Sequence, residues 1–143
     1  MMRPDHPEAL ALHSAIWGDL DATREAVQAG DLTAELFAYW RTKVTAEAVV
    51  ALVGAGQPPA PEAVFDYLHQ TLGLRRDDAG EAVLLVGTFA AAGCRLGGLA
   101  YYLDLLTEER ARRAVGKHLA GLANAMYSPG GAKRVAAKLG VAV

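Results

Sequence analysis

The chain has 143 residues and a formal net charge of −2; 52% of the residues are hydrophobic, 21% are charged, and the mean hydropathy is +0.15. A chain of this size buries roughly 68–70% of the surface it exposes when unfolded, so one domain can hold a core without disulfide or metal staples. The composition excludes a disordered or collagen-like protein, and the single cysteine, Cys94, excludes an intrachain disulfide and fits a reduced, cytoplasmic setting.

Residues 1–10, MMRPDHPEAL, place prolines and acids where a secretion signal needs an unbroken apolar run. Residues 1–6 are expected to be a flexible N-terminal segment of a single domain covering 1–143. Residues 7–29 contain one breaker, Gly18, and read as a helix ended by Gly30. Asp31 or Thr33 can cap a second helix over about 32–53, with Leu36, Trp40, Val44, Ala48 and Leu52 as its inner stripe. GAGQPPAP (54–61) cannot continue it, and Pro61 suits a first helical position.

A third helix runs to about Leu72 and stops at Gly73, and the polar RRDD (75–78) leads to a fourth from about Ala79 or Glu81. Thr107, followed by Glu108 and Glu109, signals the start of a fifth helix to about Tyr127. SPGG (128–131) ends it, and a last helix spans 132–139. The expected fold is all-α, a compact bundle of five or six helices around a central apolar Gly/Ala-rich helix.

VVALVG (49–54) and VLLVG (83–87) could also be buried strands. Gly54 and Gly56 would need a third glycine at 59 to make a dinucleotide-binding turn, and position 59 is Pro59. Residues 82–102 are long enough to span a bilayer, but Arg95 would lie beyond mid-span at a cost of about 2.5–3.5 kcal/mol. A buried helix is therefore expected, and no membrane partner.

That fourth helix is the most informative element. Leu85, Phe89, Ala92, Leu96, Leu99 and Leu103 form a bulky stripe, while Gly87, Ala91, Cys94 and Gly98 form a nearly smooth second face. Each interior glycine costs about 1 kcal/mol against alanine, so a close neighbour should compensate, either within the chain or across a two-fold axis. Gly87, Ala91, Cys94 and Gly98 are thus the expected interface of a homodimer. Thr88, Arg95 and Tyr102 share an edge and could hold a small anion, with the guanidinium as a fork-shaped donor. Alternatively, Arg95 pairs with Asp104 or Glu81, or its stem reaches water.

Charge is divided along the chain. From Thr107 onward seven basic residues face two acidic ones, net +5, and the remainder carries −7. On the fifth helix Ala111, Val115, His118, Leu122 and Met126 mark an inward stripe, with His118 a core histidine. Arg110, Arg113 and Lys117 occupy another face and, with Arg134 and Lys138, could contact nucleic-acid phosphates. The plainer reading is a solvated face, or one that meets the acidic part of a neighbouring subunit.

No constellation for catalysis, metal or cofactor emerges. Glu62, Asp66 and His69 share one side of the third helix, but a dimetal bundle needs a second such helix. Cys94 has no local base, and SPGG lacks the lysine and hydroxyl of a P-loop. The sequence therefore points to a non-enzymatic helical binding or regulatory module that acts through protein–protein association, its own copies included. A nucleic-acid-associated protein and a binder of, or enzyme acting on, a small anion around Arg95 are the alternatives.

Overall fold

The computed structural model describes residues 6–89 and 98–142, with side chains at all of these except 88 and 89. Its described residues form seven α-helices and no strand, an all-α fold. None of these helices is long and apolar enough to cross a membrane. The chain divides into two compact units, Met1–Thr107 and Glu108–Val143.

The first unit starts with α1 (Pro7–Trp17) and α2 (Leu20–Ala29), two helices where the sequence suggested one. Gly18 ends α1, its N–H donating to the Ser14 carbonyl at 2.9 Å, and a Cβ there would collide with that carbonyl oxygen. Asp19 then caps α2, its carboxylate accepting from the Asp21 N–H at 3.0 Å. Helix breaking and helix capping thus occur at adjacent residues. Gly30 closes α2 at φ +78°, a left-handed conformation that costs glycine little.

The helix expected over 32–53 starts late. A single 3-10 turn (Ala34–Leu36) precedes α3 (Trp40–Gly54); of the predicted inner stripe Leu36, Ala48 and Leu52 are buried and Val44 packs partly buried against the core, but Trp40 does not join them. Trp40 is 55% exposed, whereas Thr42, Thr45, Ala46, Ala48, Val49, Leu52 and Val53 are buried. Two threonines can lie inside because each hydroxyl has an acceptor: Thr42 donates to Glu8 and Thr45 to the Arg41 carbonyl at 2.7 Å.

Pro61 opens α4 (Pro61–Asp66), which continues as a π-helical turn over Tyr67–Thr71. Gly73, at φ +75°, lets the Leu74 N–H reach back to the Leu68 carbonyl at 2.9 Å and ends the segment. Next come α5 (Arg76–Leu84) and a second π-helical turn (Leu85–Phe89). The core of this unit gathers Leu12, Leu32, Phe37, Val49, Val64, Leu68 and Val86, joined by Leu99, Leu103 and Leu106.

These last three belong to α6 (Gly98–Met126), which passes Thr107 without a new start. The Thr107 hydroxyl donates to the Leu103 carbonyl at 2.8 Å, an interior back-bond rather than a cap. In the second unit α7 (Gly131–Leu139) follows, and the buried apolar side chains there are Leu122 and Val135. Gly131 starts α7 so close to the Ala125 carbonyl that a Cβ would strike its oxygen.

Candidate functional site

The smooth face expected on the fourth helix is described at two of its four positions. A Cβ on Gly87 would lie 2.7 Å from the Trp17 ring, and one on Gly98 would strike Tyr102 and lie 3.2 Å from the Ser14 hydroxyl. The close neighbour at Gly87 is thus α1 of the same chain, and at Gly98 it is Tyr102 of α6 itself with α1 next to it. Trp17 stacks in turn on His13 with ring centroids 5.0 Å apart, and His13 donates from Nδ1 to the Val86 carbonyl at 2.9 Å. Ala91 and Cys94 lie outside the described residues. So does Arg95, and the side chain of Thr88 with it; Tyr102 is buried.

Beneath α3 lies a polar node the sequence reading missed. Glu8, in the first turn of α1, is only 1% exposed. Its carboxylate accepts from the Ala38 N–H at 3.2 Å, the Tyr39 N–H at 3.3 Å and the Thr42 hydroxyl at 2.5 Å. One carboxylate therefore lies at the N-terminal ends of two helices, where backbone donors lack carbonyl partners and the dipoles favour negative charge. Its own N–H donates to His6 Nδ1 at 3.1 Å. With its oxygens accepting from these donors and the residue only 1% exposed, this carboxylate is a structural joint.

No group of three His, Cys, Asp or Glu among the described residues could hold a metal. His69 donates from Nδ1 to the Leu74 carbonyl at 2.8 Å, so that nitrogen helps end its helix.

Two surfaces remain. In the first unit a groove of about 480 Å³ runs between α2 and the first turns of α6. Its lining includes Ala22, Ala26, Leu99 and Leu103, of which the last three are buried and make an apolar floor. Glu25, Asp31 and Asp104 stand exposed around it, and no basic residue lines it among the described residues. The available signal was the alanine step 22, 26, 29 on α2 with Glu25 beside it, which hydrophobic ranking passes over because alanine counts for little.

The second surface is the exposed stretch of α6. All fifteen positions from 107 to 121 are exposed, including Val115 at 58% and Leu119 at 55%. His118 is exposed as well, against the expectation of a core histidine. Arg110, Arg113, Lys117, Arg134 and Lys138 are all exposed; Arg134 donates to the Ser128 hydroxyl at 3.1 Å. Arg112 pairs with Glu109 at 3.3 Å, an exposed pair one turn apart. Compared with protein-family models, curated proteins and solved structures, the chain matches none.

Proposed function

We propose that this chain is a non-enzymatic helical module, working in a reducing cytoplasmic setting, whose activity is association with protein, its own copies included. The observation that supports this reading is the exposed segment 107–121. A surface helix ordinarily buries one stripe, yet Ala111, Val115 and Leu119 step by four along one face and all remain exposed. Covering an exposed side chain such as Val115 or Leu119 contributes at most about 1.5–3 kcal/mol toward binding a partner.

Sedimentation equilibrium over a range of protein concentrations tests the reading. The native chain is expected above monomer mass, and Val115→Asp/Leu119→Asp at monomer mass with unchanged helical circular dichroism. A native chain that stays at monomer mass throughout removes self-association.

The exposed cations Arg110, Arg113, Lys117, Arg134 and Lys138 support a second reading, a helical protein that grips nucleic acid without sequence preference. Retention of short DNA or RNA at low salt, falling steeply as salt rises, would favour it over the first.

A further inference from the structure

The groove and the exposed helix differ in character, and each lacks what the other offers. The unit that holds the groove carries net −7, from fourteen acidic and seven basic residues, while the unit from Glu108 onward carries +5. Glu25, Asp31 and Asp104 form no ion pair with a described cation. Along residues 108–121 the exposed apolar row Ala111, Val115, Leu119 has Arg112 and His118 about 60° to either side of Val115 on the helix circumference.

We propose that this helical segment of one copy lies in the acidic groove of a second copy, and that the exchange is reciprocal about a two-fold axis. The proposal rests on the self-association reading above and names its surfaces. Ala111 to Leu119 spans eight residue rises, about 12 Å, and the α6 wall of the groove, Leu99 to Thr107, spans the same length.

An amphipathic helix laid in a groove places its apolar row on the floor and its flanking residues at the rims. The α2 lining includes Ala22 and Ala26, whose small side chains let a second backbone come close. Arg112 and His118 then face carboxylates on the two walls, Glu25 and Asp31 on one side and Asp104 on the other. Reciprocity closes the assembly at two copies, where a one-way contact would run on into a chain. It also makes the second contact intramolecular once the first has formed, which strengthens the pair without new chemistry. Because the rim charges are exposed, the association weakens as salt rises.

Charge reversal on the full-length chain tests this by sedimentation velocity. Glu25→Lys/Asp104→Lys reverses the groove and Arg112→Glu/His118→Glu reverses the helix; all four positions are exposed, so each variant should keep the native circular dichroism. Each variant alone is expected to associate at least about tenfold more weakly than the native chain. An equimolar mixture of the two is expected to recover the dimer, because in the mixed pair one contact is native and the other is fully reversed. A native dimer that both variants form equally well overturns the docking and leaves self-association standing, and a mixture that stays monomeric also overturns the docking. A native chain that is monomeric at low salt overturns both.

Discussion

Glu8 and Thr42, 34 residues apart in the chain, meet in the buried interior, the threonine hydroxyl donating to the carboxylate at 2.5 Å. With the Ala38 and Tyr39 N–H groups on the same carboxylate, this contact ties the first turn of α1 to the start of α3. Removing the acceptor takes a partner from three donors, two of them part-buried backbone N–H groups and the third the buried Thr42 hydroxyl, which keeps the Tyr39 carbonyl at 3.1 Å, and a lost partner costs most where water cannot replace it.

Glu8→Ala is therefore expected to lower the free energy of unfolding by about 3 kcal/mol, read from urea denaturation, and Thr42→Val by about 1 kcal/mol. A loss for Glu8→Ala no larger than that for Thr42→Val would show that the backbone donors find other partners.

Gly87 lies under the Trp17 ring, which is itself 44% exposed and free to swing outward. Gly87→Ala should push the indole off the His13 ring at a cost of about 1 kcal/mol. In a Trp40→Phe background the remaining tryptophan emission should shift to longer wavelength. The same glycine substitution in a Trp17→Ala chain should cost less, and equal costs in the two backgrounds would disprove the steric account.

Leu119 marks the contrast between a core and a surface role. Being 55% exposed, it should tolerate Leu119→Gln with a change in monomer stability within about 0.5 kcal/mol at protein concentrations too low for association. A loss of several kcal/mol, read by thermal unfolding at those concentrations, would mean that the side chain belongs to a monomer core.

At Gly131 a Cβ would strike the Ala125 carbonyl oxygen and lie 2.7 Å from the Ser128 hydroxyl. Backbone oxygen cannot step aside as a long side chain can, so Gly131→Ala should loosen α7 by about 1–3 kcal/mol. Amide hydrogen exchange should show protection falling over Gly131–Leu139 while α1 to α5 keep theirs. Unchanged protection in α7 would refute it.

Much of the helical punctuation was legible. Gly30, Gly73 and Gly140 all take positive φ at or just beyond helix ends, and Pro61 occupies the first turn of α4 as its missing N–H allows. Thr107 misled because a hydroxyl beside acids has two uses, capping a new helix or bonding back to a carbonyl within an existing one. Trp40 misled for a different reason. Apolar ranking puts tryptophan inward and threonine outward, but Thr42 and Thr45 sit beside acceptors inside, while Trp40, whose indole N–H is itself a donor, lies 55% exposed.

Of the candidate surfaces, the basic face was readable from charge counting alone, since charge adds along a chain whatever its path. The groove was not, because its two walls come from residues 22–31 and 99–107, and nothing local to either predicts the other.

Local order was thus inherent in the chain: helical periodicity, glycine and proline stops, and the division of charge all act within a few residues or by simple addition. Which side chains became neighbours was not, and that decided the burial of Glu8, the covering of Gly87 by Trp17 and the shape of the groove. The cause is the range of the forces: capping and propensity work across one turn, whereas desolvating a carboxylate or filling the space above a glycine depends on partners brought from tens of residues away.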